Sequence, residues 1–368
     1  MKRMLCIVGG MNAGGAETFL MKLYRGIDKS KYQMDFAVAI DEKGFYDDEI
    51  KGMGGIIHHI TPKTKGVAKN FWSIYKLVKE NRYKYVLRTS QHSLSAMELL
   101  AAWIGGAKIR IFRSSNSNTT SGRKKDLLLH KLFIFMPRFF ANIKIAPSTI
   151  AAEYMFGKGC IAKKEAYLLH NAVDLDVYQF SKEDREKVRK SFGILDDEIV
   201  IGHVGRFNQQ KNHLFLLGVF RDFLKKHPNS KLMLVGTGEL ENEIQNRIKE
   251  LDIVNQVILL GVRSDIAQLL SAFDVFLFPS IYEGMPNTVI EAQAAGLPCV
   301  VSDKITPEVK ISKLVLFESL SNPNACWIKK IDEAISIGRC NVKNDLEGAG
   351  YSIDTVVKDF IKLSFERY

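Results

Sequence analysis

The feature that most constrains the fold of this chain is a double series of short apolar segments that alternate with helical ones. Amphipathic patterns such as Phe71–Asn81 and Asn212–His227 fill the intervals between the apolar segments. Short apolar strands separated by helices form parallel, doubly wound sheets. The predicted strands are Met4–Val8, Asp35–Ile40, Ile56–Ile60, Tyr85–Arg88, Lys108–Phe112 and Ile143–Ala146, then Ile199–Gly205, Lys231–Val235, Val257–Leu260, Asp274–Pro279 and Cys299–Ser302.

A polar stretch over Asn171–Phe180 separates the two series. With 368 residues, the chain is long enough for two domains. We therefore predict an α/β fold with two Rossmann-like domains, at 1–172 and 173–350. Apolar residues at helical spacing predict one further helix within 351–368.

Charge is divided unevenly between the two halves. Residues 1–172 hold 28 Lys and Arg against 13 Asp and Glu, a net charge of +15, whereas residues 173–368 hold 24 against 28, a net charge of −4. A basic half indicates an anionic partner, which could be nucleic acid, an acidic membrane surface or a phosphorylated lipid. The alternative is a basic surface that is merely solvated.

Cysteine usage and apolar run length predict the compartment. Five scattered cysteines without a C-x-x-C pair indicate a reducing, cytoplasmic environment without disulfides or a zinc site. No apolar run reaches the roughly 18–20 residues of a membrane span. The segment 123–140 combines Arg and Lys with Leu and Phe, a composition typical of an interfacial helix on anionic lipid. A helix packed on the sheet explains the same segment equally well.

Two carboxylates, Glu283 and Glu291, lie eight positions apart where a buried strand leads into a helix. Loops at the carboxyl ends of parallel strands are where α/β sheets bind ligands. A carboxylate beside free backbone N–H groups suits a neutral polyol, which both donates and accepts hydrogen bonds. Paired carboxylates also serve glycoside hydrolysis, but two groups at opposite ends of a helix start fit a long ligand better than one scissile bond.

Two other loops contain residues suited to phosphate binding. Gly14 and Gly15 follow the first strand, where glycine lets backbone N–H groups approach an anion closely. Arg206 and Lys211 follow a later strand and open a helix, so they are placed to converge on a pyrophosphate. The alternative for this pair is two solvent-facing cations. Neither the G-x-G-x-x-G nor the G-x-x-x-x-G-K-[ST] motif is present.

Taken in order, these motifs resemble those of family 4 of the retaining glycosyltransferases, and the resemblance covers nearly the whole chain. Within that family the chain resembles bacterial capsule and exopolysaccharide enzymes. The matching elements are G-G-x-E at Gly14–Glu17, G-R…K at Gly205–Lys211, V-G-x-G at Val235–Gly238, the base-contacting turn at Leu260–Asp265, and E-x7-E at Glu283–Glu291. The stretch Asn171–Asp174, which reads N-A-V-D, resembles the family's N-G-V-D at the domain junction.

The resemblance implies a GT-B fold with two domains facing across a cleft, the first for the acceptor and the second for the nucleotide sugar. It also implies that the final helix, within 351–368, crosses back onto the first domain, and it implies a role for each matched residue. Glu283, Arg206 and Lys211 would be catalytic, with Glu283 on the donor sugar and the two cations on the departing diphosphate. Glu291 would accept from the ribose hydroxyls. The remaining implied donor contacts are Gly14 and Gly15 on the diphosphate, Arg263 near the base, and Gly284, Met285, Pro286 and Asn287 around the sugar.

One element departs from the family pattern. Many members carry His-Ser-His-Asn where this chain has Arg113-Ser114-Ser115-Asn116. His92 follows another strand end and could replace the lost histidine, although an ordinary helix-start residue explains it as well. Arg113 could address a phosphate on the acceptor. His203, inside an apolar strand, is interpreted as a core residue with its hydrogen bonds satisfied.

The resemblance implies a retaining transfer without metal or cofactor, from a nucleotide sugar, most simply a UDP-sugar, in capsule or exopolysaccharide synthesis. The acceptor would be a polyprenyl-diphosphate-linked sugar or an oligosaccharide, met by a cytoplasmic enzyme at the inner face of the cell membrane. Three alternatives stay open: a non-catalytic nucleotide-sugar-binding partner, a nucleotide-sugar epimerase and a nucleic-acid-binding protein. The last lacks the aromatic RNA-binding motifs and zinc fingers expected of it.

Overall fold

The computed structural model describes residues 1–12, 14–115 and 124–367, with 124–126 described by their backbone alone. The chain divides into two compact units. Unit 1 comprises Met1–Ala172 together with Ile353–Tyr368, and unit 2 comprises Val173–Ser352. Each unit is built around its own parallel sheet.

The sheet of unit 1 has the strand order β3-β2-β1-β4-β5-β6-β7. Its helices up to residue 156 alternate with the strands, and short 3-10 turns occur at Lys63–Lys65 and Ser93–Ala96. The strands are β1 (Lys2–Val8), β2 (Tyr32–Val38), β3 (Ile57–His59), β4 (Tyr85–Ser90), β5 (Ile109–Ser114), β6 (Ile143–Ala146) and β7 (Tyr167–Leu168). The helices are α1 (Gly15–Gly26), α2 (Asp47–Gly52), α3 (Val67–Asn81), α4 (Met97–Ile104), α5 (Lys124–Leu132), α6 (Met136–Phe140) and α7 (Thr149–Phe156).

The sheet of unit 2 has the strand order β10-β9-β8-β11-β12-β13, with 3-10 turns at Gln209–Lys211 and Pro307–Val309. Its strands are β8 (Ile199–Val204), β9 (Ser230–Val235), β10 (Val257–Leu259), β11 (Val275–Phe278), β12 (Cys299–Ser302) and β13 (Val315–Glu318). Its helices are α8 (Lys182–Ser191), α9 (His213–Leu224), α10 (Glu241–Glu250), α11 (Ile266–Ala272), α12 (Asn287–Ala294), α13 (Asn324–Ile337) and α14 (Lys343–Gly348).

The last helix, α15 (Ile353–Ser364), belongs to unit 1 although it follows unit 2 in the chain. Val356, Val357 and Phe360 enter the core that α1 shares with the sheet. At Gly26 on α1, a Cβ would lie only 2.6 Å from a methyl carbon of Val357, so this glycine permits the close approach of the two helices.

Both sheets are buried on their two faces, as parallel sheets are when helices cover each side. Every residue of β11 is buried, and separate apolar clusters lie on the two faces of each sheet. The prediction of two doubly wound parallel sheets is therefore confirmed. The described chain also contains β7 and β13, which the prediction lacked because one has two residues and the other is largely half-buried.

Candidate active site

The topology of unit 2 creates a crevice at the carboxyl ends of β8 and β11. These strands are neighbours, but the chain runs outward from β8 through β9 and β10 before it returns to β11. Ligands of open α/β sheets bind at such a switch point. Hydrogen bonds tie the two loops together: Ile281 N donates to Gln210 O at 2.8 Å, and Gln210 Nε2 donates to Tyr282 O at 3.0 Å.

Lys211 and Glu283 meet at this switch point. Lys211 Nζ lies 2.7 Å from Glu283 Oε1, and the side chains are only 16% and 12% exposed. The same ammonium lies 4.5 Å from the ring centroid of Phe278, the last residue of β11. An anion and an aromatic face both favour a cation, so the lysine is held at the carboxyl edge of the sheet.

Local backbone geometry directs Lys211 to this position. The Asn208 side chain caps the 3-10 turn by accepting from Lys211 N at 3.1 Å, and Asn212 adopts a left-handed φ of 58° that ends it. A Cβ on Gly205 would lie 3.1 Å from Lys211 Cδ and Cε. Gly205 therefore leaves the room through which the lysine side chain passes.

Two buried histidines lie beneath Lys211. His203 on β8 is bonded through Nδ1 to Leu277 O at 2.8 Å, and its ring lies 4.7 Å from that of His213 at the start of α9. Within the described residues, His203 Nε2 and both His213 ring nitrogens are buried without a hydrogen-bond partner. The interpretation of His203 as a satisfied core residue is thus correct for one of its two nitrogens.

Burial, reinforced by nearby charge, keeps both imidazoles neutral. The pKa of His203 falls well below its ordinary value because of burial first and the neighbouring His213 second. Burial, with Lys211 adding a smaller effect, lowers the pKa of His213 to about 4.

Glu291 lies on α12, the helix that follows the Glu283 loop, and is 9% exposed. The Tyr178 hydroxyl hydrogen-bonds to its carboxylate, and burial followed by this carboxylate raises the pKa of Tyr178. The sequence reasoning missed Tyr178, because it comes from the segment that opens unit 2 and no local motif marks it.

The loop between Glu283 and α12 is largely buried. Gly284, Met285 and Pro286 are buried, Asn287 is half-buried, and the Tyr351 hydroxyl donates to Met285 Sδ at 3.6 Å. Glu283 itself makes an isolated parallel bridge to Ile305 after β12. Most of the predicted donor loop is therefore packed at the carboxyl edge of the unit 2 sheet.

Arg206 and Arg263 lie on the same edge, but their side chains turn to acidic neighbours. Arg206 Nη2 pairs with Glu239 Oε2 at 3.2 Å and is 72% exposed. Arg263 forms two hydrogen bonds to its neighbour Asp265, at 2.8 and 2.6 Å. The expected convergence of Arg206 with Lys211 is absent from this structure, so a diphosphate role for Arg206 requires its exposed side chain to leave Glu239.

In unit 1, Gly14 and Gly15 begin α1, and a Cβ on Gly15 would meet no described atom within 4 Å. Arg113 is 2% exposed: its guanidinium lies 3.8 Å from the Phe19 ring centroid and donates to Asn171 Oδ1 at 2.5 Å. Burial lowers the pKa of Arg113 to about 9. This buried position contradicts direct access of Arg113 to an acceptor in the conformation described.

The remaining predicted acceptor-side residues are His92 and Asn116. His92 is half-buried and precedes the 3-10 turn Ser93–Ala96, where its backbone N donates to Ser90 Oγ at 3.1 Å. Asn116 lies outside the described residues. Across the described chain, no three His, Cys, Asp or Glu side chains are grouped to hold a metal ion.

Comparisons with known proteins identify the family of this chain. The family model "Glycosyl transferases group 1" matches residues 184–325, which include the Lys211 and Glu283 loops. The putative glycosyltransferase EpsF of Bacillus subtilis is 34% identical over 95% of this chain and 93% of that protein. The chain belongs to the group 1 glycosyltransferases.

Two further similarities place this glycosyltransferase among known relatives. The Escherichia coli UDP-Gal:alpha-D-GlcNAc-diphosphoundecaprenol alpha-1,3-galactosyltransferase is 29% identical over 64% of this chain and 62% of that one. The crystal structure of Anabaena Alr3699/HepE in complex with UDP-glucose has a TM-score of 0.79 at 18% identity, covering 98% of this chain and 99% of that chain. The second similarity supports the fold.

Proposed function

We propose that this glycosyltransferase binds a UDP-sugar at the carboxyl edge of the unit 2 sheet and transfers the sugar to a lipid-linked or oligosaccharide acceptor in capsule or exopolysaccharide synthesis. The observation that carries the proposal is the contact between Lys211 and Glu283 at the β8/β11 switch point. A largely buried cation and carboxylate offer one group for a phosphate and another for sugar hydroxyls.

The chemistry requires the pair to exchange partners. Breaking the sugar–phosphate bond leaves negative charge on the departing diphosphate, and a fixed cation stabilises that charge in the transition state. Lys211 would take the diphosphate while Glu283 accepts hydrogen bonds from the sugar. Arg206 supplies a second cation once its exposed guanidinium leaves Glu239. Two protein cations provide the positive charge that a metal ion would otherwise supply, so we propose a metal-independent reaction.

Glu291 and Tyr178 would bind the nucleoside. Glu291 already accepts a hydrogen bond from the Tyr178 hydroxyl. A ribose with two adjacent hydroxyls can replace or extend that contact, since a carboxylate offers about four acceptor positions. The complex of HepE with UDP-glucose supports uridine as the base. Retention of the anomeric configuration, the contacts of Gly14 and Gly15 with the diphosphate and those of Arg263 with the base stay predictions.

The acceptor is proposed from chemistry and from relatives. The Escherichia coli relative is named for a diphosphoundecaprenol-linked acceptor. An acceptor of this kind lies at a membrane surface, and residues 1–172 have a net charge of +15, which suits anionic lipid. None of the described helices is long and apolar enough to span a bilayer.

Unit 1 presents a surface suited to peripheral contact with a membrane. Trp72 on α3, Trp103 on α4 and Phe139 on α6 are 59%, 54% and 74% exposed, and α4 contacts both other helices. The Arg110 guanidinium lies 5.4 Å from the Trp103 ring centroid and binds Phe140 O at 2.8 Å. Aromatic rings mixed with cations are favoured at the headgroup level of anionic bilayers. We propose that this surface, together with the described part of 123–140, contacts the membrane.

The test is a screen of UDP-, GDP- and ADP-sugars that follows nucleotide release with and without lipid extract. Wild type is compared with Glu283→Gln, Glu291→Gln and the control Glu333→Gln. In the wild type, Glu333 forms an exposed ion pair with Lys330 on α13. We expect release from one UDP-sugar that depends on the extract and is lost in the first two variants only. Release of nucleotide from no donor, with the protein folded, would contradict the proposal.

The same screen separates the alternatives. Sugar interconversion without an acceptor would indicate an epimerase, and tight nucleotide-sugar binding without release would indicate a non-catalytic partner. Salt-sensitive binding to random DNA without nucleotide-sugar binding would indicate a nucleic-acid-binding protein. Similarity to a glycosyltransferase over 95% of the chain favours sugar transfer over all three.

A further inference from the structure

The two histidines beneath Lys211 take no part in the chemistry described above, yet both are buried close to it in the fold. His203 is fully buried on β8, and His213 is 1% exposed at the start of α9. Buried polar nitrogens normally have hydrogen-bond partners, because leaving one unsatisfied costs about 1–3 kcal/mol. Three unsatisfied nitrogens in one place therefore require an explanation.

The tautomer of His203 follows from its one hydrogen bond. A carbonyl oxygen only accepts, so the bond from Nδ1 to Leu277 O places the proton on Nδ1. The ring is neutral, which leaves Nε2 as an unprotonated acceptor. This bond also joins β8 to β11 at the switch point, and the ring stacks on Phe278 at 5.5 Å between centroids.

His203 Nε2 and Lys211 border the same small space. The position that a Cβ of residue 205 would occupy lies 3.0 Å from His203 Nε2 and 3.1 Å from Lys211 Cδ and Cε. Gly205 leaves that position open, so the acceptor nitrogen and the final carbons of the lysine side chain border one gap. Phe278 contacts both groups, because it carries the Lys211 ammonium on its ring at 4.5 Å and stacks on the His203 ring.

We propose that His203 is a positioning residue for Lys211: its unprotonated Nε2 stabilises the lysine ammonium when Glu283 turns from the ammonium to the donor sugar. The inference rests on the proposed role of Lys211 in binding the diphosphate. The lone pair of His203 Nε2 holds the Lys211 ammonium at the carboxyl edge of the sheet and leaves its positive charge in place. A second carboxylate would instead compete with the phosphate for the ammonium. His213 packs edge-on against the His203 ring.

Substitution of His203 by an amide side chain tests its two nitrogens one at a time. Asparagine reproduces Nδ1 and keeps the donor to Leu277 O, and glutamine reproduces an acceptor at the position of Nε2. We expect His203→Asn to lower kcat/KM for the nucleotide sugar by about 10-fold to 100-fold, the range for misplacing a reacting group by up to an ångström. His203→Gln should restore most of that loss even if it is the less stable variant. The control His227→Asn alters a histidine that pairs with Asp332 at the far end of α9 and should leave kcat and KM unchanged.

Two outcomes of the kinetics would overturn the proposal. Wild-type kcat/KM in His203→Asn would show that Nε2 does nothing, and equal losses in the Asn and Gln variants of similar thermal stability would show that only the ring matters.

A measurement that needs no activity keeps this inference distinct from the proposed function. Two-bond ¹H–¹⁵N spectra of ¹⁵N-histidine-labelled protein identify the tautomer of each imidazole, and the His203 signals are assigned by their loss in His203→Asn. We expect His203 to carry its proton on Nδ1. A proton on Nε2 would overturn the inference whatever the enzyme transfers. The expected tautomer with no transferase activity would instead count against the proposed function alone.

Discussion

Removal of Lys211 or Glu283 tests whether the ion pair at the switch point is one coupled unit. Each charge is more than four-fifths buried, and the two atoms are 2.7 Å apart. At an effective dielectric constant of about 20 the gross attraction is about 6 kcal/mol, and desolvation offsets much of it. We expect a net coupling of about 1.5–3 kcal/mol, typical of a hydrogen bond to a charged group.

The assay is a double-mutant cycle of Lys211→Met, Glu283→Gln and both together, measured by urea unfolding. Trp327 is fully buried in the core of unit 2, whereas Trp72 and Trp103 lie exposed in unit 1. In a protein in which Trp72 and Trp103 are changed to Phe, the fluorescence of Trp327 therefore reports on the unfolding of unit 2. Lys211→Met should lower the free energy of unfolding by about 3 kcal/mol, the lower end of the range for breaking a buried pair, because it leaves a largely buried carboxylate without its cation.

The matched control is the exposed pair of Lys330 and Glu333 on α13, which joins the same residue types at 2.8 Å. Its coupling should be about 0.3–0.5 kcal/mol, the value for exposed helical pairs. A coupling below about 0.5 kcal/mol for Lys211 and Glu283 would refute the reasoning, since independent sites add within that margin. In the same proteins, Lys211→Met should lower kcat by about 10²–10³-fold, as for loss of one group that stabilises transition-state charge.

Six other substitutions have defined outcomes. Gly205→Ala should fold but raise KM for the donor several-fold, since its Cβ presses on the lysine, whereas Gly236→Ala, at a φ of 136° and against a backbone carbonyl, should lower Tm in thermal unfolding. In the folded protein His213 stays neutral down to about pH 4, whereas in the unfolded chain it takes up a proton near pH 6.5. The contribution of the neutral His213 to the free energy of unfolding is therefore fully present above pH 6.5 and is lost, by up to about 3 kcal/mol, toward pH 4. His213→Phe should reduce this loss in urea unfolding. Arg113→Lys should lower Tm because the buried guanidinium loses its aromatic contact, and an unchanged acceptor KM in Arg113→Ala would remove the acceptor role. Trp103→Ala should weaken binding to phosphatidylglycerol-containing vesicles, measured by sedimentation, by about tenfold, in line with the ~1.5–3 kcal/mol gained by burying a large apolar side chain. Binding equal to that of the wild type would contradict the proposal that this surface contacts the membrane.

The alternation of strands and helices was predictable from the sequence because it depends on local patterns. Apolar runs of four to seven residues marked the buried strands, and the predicted strand Asp274–Pro279 contains β11. The loop positions of Lys211 and Glu283 were predictable for the same reason, since each follows a recognisable strand. The edge strand β13 escaped because three of its four residues are only half-buried, so it lacks a continuous apolar pattern.

Side-chain partners were less predictable. Nothing near Arg206 in the sequence shows that it turns to Glu239, and nothing near Arg113 shows that it is buried against Phe19. Such contacts depend on which loops become neighbours. That is a property of the strand order, which single-sequence patterns do not contain.

The sequence by itself determined the two sheets, the loop that carries each candidate residue and the chemistry those residues offer. Only the tertiary structure decided that residues 72 positions apart, Lys211 and Glu283, form one buried pair. It also decided that Tyr178 binds Glu291 and that His203 has one nitrogen satisfied and one not. The physical reason is the pairing of β8 with β11, which brings the carboxyl ends of two strands from distant parts of the chain to one edge of a sheet.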